Sequence, residues 1–475
     1  MHRIARQHAL FAFIFLIVLT DCGSNPPVNP GLSAVTLVPT FDLRDVTTLC
    51  GDLNMAWSKD WPRTIDDLEK IRSQNGTCGN TDPTSKLYAA YYNYGASLES
   101  TNDLAKALKA YQKALTVNPQ GKEAAQALRQ HNVFTPMPLL TCTDQQVHEA
   151  VTAVQSYKPQ GKGDFVHTRN NTLVVGDQPF KVRGVNYYPV RAPWQRFLTD
   201  SDLTVVAKEL DLIRGTGFNT LRIFLDYDAL FDCPGSGAVP KPDVFARLDG
   251  IVKAAAGRGF RLIVTLNDLP DLTIHPLYLY PDSAADQTLY IVKRYQAEPA
   301  ILAWDLRNEG DIDYSRNGFQ STTVLDWLAK TSAAVRNADS NHLITAGWDE
   351  DPQATENAVD IVSFHHWAAD QTLSLRLAAL KIYTHKPILV EEIGFSTLGI
   401  NETQQGVMLR DTLTTAESDG AAGWLVWTAF DFPTDVTCAP PDCPSPDNGE
   451  HHFGLWHSDY TPKPSVAVLK ALFGS

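Results

Sequence analysis

The stretch Pro299-Ala300-Ile301-Leu302-Ala303-Trp304-Asp305-Leu306-Arg307-Asn308-Glu309-Gly310 decides how the larger, C-terminal part of this chain is read. A short apolar run passes directly into charged and amide residues. That is the pattern of a strand buried on both faces that delivers polar side chains at its C-terminal end. Similar runs lie on either side, and we read eight strands in all, at 182–186, 220–224, 261–266, 302–307, 343–346, 361–365, 388–391 and 423–427. Helical segments alternate with them. Ser201 is placed as an N-cap before Leu203, Val206, Leu210 and Ile213, that helix stops at Gly215 and Gly217, and residues 243–256 repeat the design before Gly257. Such alternation calls for a parallel sheet of βα units, and residues 165–475 suffice for a (β/α)8 barrel, which needs about 250. Just upstream, residues 171–183 contain two short strands and a turn at Gly176-Asp177, a hairpin suited to closing the barrel bottom.

A barrel of this kind presents its active site at the C-terminal strand ends. The fourth strand brings Asn308 and Glu309 there; the seventh, in Ile388-Leu389-Val390-Glu391-Glu392-Ile393-Gly394-Phe395, brings two more carboxylates. Carboxylates from nonadjacent strands can face each other across the mouth, and glycoside hydrolysis with retention uses such a pair about 5–5.5 Å apart. Side chains alternate along a regular strand, so only one of Glu391 and Glu392 is expected to point into the mouth.

These residues, in this order, resemble the clan A glycoside hydrolases. Family 5 is closest in layout, and family 2 catalytic barrels are a near alternative. The resemblance runs from about Phe165 to Phe473 and includes Arg183-Gly184-Val185-Asn186-Tyr187-Tyr188, Asn219-Thr220-Leu221-Arg222, Gly423-Trp424-Leu425-Val426-Trp427 and Phe453-Gly454-Leu455-Trp456. It implies a retaining β-glycosidase acting on a poly- or oligosaccharide, with Glu309 as general acid/base and Glu392 as nucleophile. Glu309 should then hold its proton while Glu392 is charged. Asn308 would bond the sugar 2-hydroxyl, Arg222 would keep Glu392 ionised, and Trp427 would stack under the sugar at the cleavage point, leaving Trp424 in the core. Asn186, Tyr188 and Asn267 are further expected substrate contacts. His365 matches the family histidine, although His366 competes for the inward position. The family usually has a Tyr two residues after that histidine, bonded to the nucleophile. Here Trp367 stands in its place, so a hydroxyl such as that of Tyr187 or Tyr188 would have to serve instead. The aromatic loop from His275 to Tyr280 is either a subsite wall or a hydrophobic plug. Transglycosylation on the same site and a non-catalytic carbohydrate-binding scaffold are the alternative functions.

The remainder of the chain is organised differently. His2, Arg3 and Arg6 precede an apolar run from Ala9 to Leu19 that ends at Leu19-Thr20-Asp21-Cys22. The run is shorter than the roughly 20 residues of a membrane-spanning helix. It resembles a lipoprotein-type signal (1–22) in which Cys22 would be lipidated, although Asp21 departs from the small residue usual there; ordinary cleavage or an uncleaved anchor are the other readings, and all three export the protein. A flexible Pro-, Gly- and Ser-rich linker (23–40) follows. Residues 41–140 form a small helical domain. In it Leu87, Tyr91, Tyr94 and Leu98, then Leu104, Leu108, Tyr111 and Leu115, recur at helical spacing on either side of Ser100-Thr101-Asn102-Asp103. The stretch from Tyr91 to Pro119 resembles one tetratricopeptide repeat, a unit that either packs on the barrel or docks a partner protein. A connector (141–164) leads to the barrel. Setting Cys22 aside leaves Cys50, Cys78, Cys142, Cys233, Cys438 and Cys443, an even set that suggests disulfides in an exported chain, with Cys50–Cys78 and Cys438–Cys443 as expected pairs. No CxxC pair or HxxxH spacing supports a metal site, and neither metal nor other cofactor is expected. The net charge of −14 disfavours an electrostatic grip on nucleic acid or anionic lipid, so membrane association is expected only through Cys22.

Overall fold

The computed structural model describes residues 44–79, 82–119, 121–131, 133, 139–270, 272, 277–317, 319–368, 370–438 and 443–474. The expected signal and linker, Cys22, His275 and Pro276 lie outside them. Strands β1 (Val182–Asn186), β2 (Thr220–Phe224), β3 (Arg261–Thr265), β4 (Ile301–Asp305), β5 (Leu343–Thr345, resumed at Gly347–Trp348), β6 (Val362–His366), β7 (Ile388–Ile393) and β8 (Gly423–Val426) form one parallel sheet. β8 pairs back onto β1, and the two parts of β5 pair with β4 on one side and β6 on the other, which closes a (β/α)8 barrel. β4 is buried along its whole length, because helices cover the outside and side chains fill the inside. It ends at Asp305, two residues sooner than expected, so Leu306 to Glu309 run above the ladder.

The barrel interior changes along its axis. At the floor Val182, Ile263, Leu302, Leu343, Ile361, Leu389 and Leu425 form one apolar cluster. Val166 and Leu173 join it from an antiparallel ribbon of three strands (Val166–Arg169, Thr172–Val175, Gln178–Phe180) rather than the two expected. The first of these, Val-His-Thr-Arg, buries only Val166, so its sequence carries almost no strand signal. One helix boundary also differs. The cap of Leu203–Arg214 is Asp202, whose carboxylate accepts from Thr204 N at 2.8 Å, whereas Ser201 Oγ donates back to Phe197 O.

Upstream lie five consecutive helices, α1 (Val46–Ala56), α2 (Trp61–Ser73), α3 (Pro83–Ser100), α4 (Leu104–Val117) and α5 (Lys122–Gln130), each packed on the next. One core gathers Leu49, Leu53, Leu68, Ile71 and Leu87; the other gathers Ala107, Tyr111, Ala114 and Leu128. Gly95 is needed where α3 meets α4, since a Cβ there would come within 2.5 Å of the Tyr111 ring. The connector holds a helix that the sequence reading did not place, α6 (Asp144–Ala153), started by a capping box of Thr143 and Gln146. Disulfides join Cys50–Cys78 and Cys438–Cys443, the expected pairs, and Cys142–Cys233. Such bonds persist in oxidising compartments.

Candidate active site

Arg222, at the centre of β2, organises the mouth. Its guanidinium is fully buried and donates to Asp305 Oδ2 (2.7 and 3.1 Å), Glu392 Oε1 (2.5 Å), Asn308 Oδ1 (2.9 Å) and Asn186 Oδ1 (3.3 Å). A buried cation requires this degree of pairing, and a buried carboxylate requires the cation. Asp305 also accepts from Thr265 Oγ1 at 2.7 Å.

β7 does not run regularly through its two glutamates. Val390 pairs with Phe364, but the next partner, His365, pairs with Glu392, so the register slips at Glu391. The bulge overturns the alternation rule, and both side chains turn to Arg222: Glu392 at 2.5 Å and Glu391 at 4.0 Å from it. Neither oxygen of Glu391 has a hydrogen-bond donor among the described residues. Burial and the nearby Asp305 charge push its carboxyl up to about 7.

His365, not His366, sits between the two candidate catalytic carboxylates. Its Nδ1 is 2.9 Å from Glu309 Oε1 and its Nε2 3.6 Å from Glu392 Oε1. Side-chain oxygens of Glu309 and Glu392 lie within 4.8 Å of each other and of a His365 nitrogen. That approach is close to the about 5–5.5 Å of retaining glycosidases. The same three residues could in principle hold a cation, but the Arg222 guanidinium already supplies positive charge to Glu392 at hydrogen-bond distance. Gly347 leaves the room this requires, since a Cβ there would fall 2.7–2.9 Å from Glu391 Oε2, Arg222 Nη2 and His365 Nε2. Glu309 takes a left-handed backbone (φ 48°), with its N–H donating to Gly347 O at 2.7 Å. Such a conformation is strained for a residue with a side chain and recurs at functional sites.

The three groups act on one another's ionisation. Burial pushes Glu392 up to about 7, although His365 and Arg222 pull against it. Burial also acts on Glu309, but the hydrogen bond and charge of His365, with Arg222 and Arg307 behind, hold it below the usual carboxylate value. Burial would lower His365, yet the Glu392 charge and the Glu309 bond lift it to about 9. The physical reason is depth: Glu392 is almost fully enclosed, while Glu309 reaches toward the opening and takes the stronger histidine bond.

The remaining expected residues divide. Asn308 Nδ2 donates to Asp268 Oδ1 (2.9 Å), and Tyr188 OH donates to Asp268 Oδ2 (2.8 Å). Tyr187 OH goes to Glu209 (2.7 Å), so neither tyrosine provides the hydroxyl missing at Trp367; Arg222 takes that place on Glu392. Asn186 lies below the opening, its amide bonded to Glu391 O (2.9 Å) and Val426 O (3.3 Å), and is enclosed by protein. Asn267 Nδ2 holds Leu306 O at 3.0 Å, and the residue lines a cavity of about 520 Å³ with Tyr188, Phe224 and Asp268. Trp427 sits edge-on to Phe224 and donates to Glu450 Oε2 (3.3 Å), while Trp424 stacks on Phe473 behind the barrel wall. In the loop ending at Tyr280, Leu277 is buried and Tyr278 bonds Asp313 at 2.5 Å, the behaviour of a plug. Asp305, Asp268 and Glu450 were not singled out from the sequence. A charge inside an apolar strand, as at Asp305, was the available signal.

Comparison with known proteins agrees with this geometry. The family described as cellulase (glycosyl hydrolase family 5) matches residues 177–430, just over half of the chain. Mannan endo-1,4-beta-mannosidase F of Aspergillus clavatus is 28% identical over 221 residues, 40% of this chain and 48% of its own. Mannan endo-1,4-beta-mannosidase A of Podospora anserina is 25% identical over 336 residues, 58% of this chain and 85% of its own. The chain thus spans about half the length of the first of these relatives. An exo-beta-1,4-mannosidase from Opitutaceae bacterium strain TAV5 shares the fold at a TM-score of 0.55 and 17% identity, over 68% of this chain and 62% of that one. Both the family match and the carboxylate-lined barrel lead to one assignment: the chain belongs to glycosyl hydrolase family 5.

Proposed function

We propose that the chain is a retaining β-glycosidase that hydrolyses a β-1,4-linked mannan-type poly- or oligosaccharide. The observation that carries this reading is the approach of Glu309 and Glu392 oxygens within 4.8 Å, with His365 between them and Arg222 on Glu392. Arg222 holds Glu392 Oε1, so Oε2 attacks the anomeric carbon. As that bond forms, the glycosidic C–O bond breaks, and Glu309 passes its proton to the departing oxygen. In the second half Glu309 takes a proton from water, whose oxygen replaces Glu392 at the same carbon. The two carboxylates and His365 titrate as one unit, so the reactive form is defined by one proton on the carboxylate pair. The reactive arrangement has that proton on Glu309. The names of the relatives support a mannan, and the three disulfides support an exported enzyme, for which the lipoprotein-type start proposes Cys22 as a lipid anchor.

The test is digestion of β-mannan, β-glucan, xylan and β-galactosides, with Glu392→Gln as control and the products separated by chromatography. Shortened manno-oligosaccharides with wild type alone support the reading, and lengthened ones would mark transfer. No product from any substrate would sink it.

A further inference from the structure

The cavity of about 520 Å³ beside the catalytic centre is lined mainly by the ends of β1, β2 and β3, but one lining residue, Lys122, comes from the helical domain. Asp268, which lines the cavity, accepts from both Asn308 and Tyr188, so one hydrogen bond separates the cavity wall from the residue next to Glu309. Its wall includes Asp226, Asp228 and the aromatic side chains of Tyr188 and Trp194, and Lys122 is the one cation lining it among the described residues. Burial, together with the charges of Asp228 and Asp268, raises the Asp226 carboxyl, which registers how much negative charge the wall concentrates.

The helical domain is followed by a stretch that is fixed to this side of the barrel. The chain leaving it is bonded to the segment that follows the Asp226–Asp228 wall: Cys142 to Cys233 by the disulfide, Gly235 N to Leu140 O at 2.8 Å, and Cys142 N to Ser236 Oγ at 2.8 Å.

We propose that the helical domain is part of the substrate site, and that Lys122 donates to a hydroxyl of a sugar unit lying beyond the one held at the cleavage point. Carboxylates accept from sugar hydroxyls, aromatic faces stack on their C–H surfaces, and the concentrated negative charge excludes uronic acids and other anionic sugars. The ligand is therefore a sugar chain without acidic groups, for which a mannan serves as probe. This inference rests on the glycosidase reading for its substrate, but binding and turnover test the two separately.

The experiment is isothermal titration calorimetry of mannohexaose and mannobiose with the full chain carrying Glu309→Gln, with and without Lys122→Ala or Lys122→Arg. Lys109→Ala on the neighbouring helix is the control. Lys122→Ala should weaken mannohexaose roughly 5–10-fold, the worth of one hydrogen bond, and weaken mannobiose less; Lys122→Arg should restore most of the affinity. Equal affinities for wild-type Lys122 and Lys122→Ala at both lengths, or a loss that does not depend on length, would overturn the proposal. Failure of the unsubstituted enzyme to cleave mannan would sink the glycosidase reading instead and leave the binding comparison standing.

Discussion

The floor and the mouth of this barrel are built by one sheet and follow opposite rules. At the floor β1, β3, β5, β7 and β8 contribute Val182, Ile263, Leu343, Leu389 and Leu425 to an uncharged cluster sealed by Val166 and Leu173. A few residues further along, β2, β4, β6 and β7 bring Arg222, Asp305, His365, Glu391 and Glu392 out of water. The floor gains stability from every methyl group it buries. The mouth holds charges that would be better solvated, kept in place by mutual pairing and by the rigidity below. Stability and chemistry should therefore respond to different substitutions on one strand.

The largest effect should come at the mouth. Glu309→Gln is expected to lower kcat/KM on mannan roughly 10²–10⁴-fold, and Glu392→Gln at least as much, with thermal unfolding midpoints equal to wild type or higher. Calorimetry showing a large fall in midpoint would break the contrast. Next, Leu389→Ala, only two residues from Glu391, should cost about 2–5 kcal/mol in urea unfolding while kcat of the folded enzyme stays close to wild type.

A smaller effect separates the two carboxylates of β7. The Glu391 carboxyl is raised to about 7 by burial, so between its ordinary value and 7 the folded chain keeps a proton that the unfolded chain releases. Stability contributed there is present at acid pH and falls as pH rises through that window. Glu391→Gln should remove the loss, gaining on the order of 1 kcal/mol at pH 8 relative to pH 5 in urea titrations. An equal difference at both pH values would show that Glu391 is charged throughout. The finest test concerns His365, whose charge lowers both Glu309 and Glu392. Wild type should show a bell-shaped kcat/KM profile with its alkaline limb near 7, and His365→Asn should move the profile to higher pH, on the order of one unit. A shift to lower pH would contradict the geometry.

The contrast between the two ends also explains what could be read from the sequence. Eight apolar runs between helices reveal the barrel because each strand must be buried on both faces, and their C-terminal ends point to Asn308, Glu309 and Glu392. Pairing across the barrel is not local, so the bulge that turns Glu391 inward is invisible in Val390-Glu391-Glu392 alone. For the same reason the bonds of Tyr187 to Glu209 and Tyr188 to Asp268 could not be foreseen. Asp202 rather than Ser201 capping its helix was a choice between two adjacent good caps. The helix at Asp144–Ala153 was different: its Thr143-Asp144-Gln145-Gln146 start is a local signal that a reading by composition passes over.

The Cys142–Cys233 bond closes a covalent ring across 91 positions of chain, and within that ring lie the floor ribbon, β1 and β2. A protease that cuts anywhere inside the ring would leave the helical part and the barrel as one molecule on a non-reducing gel, divided only when thiol is added. A first cut there would not release either part from the other.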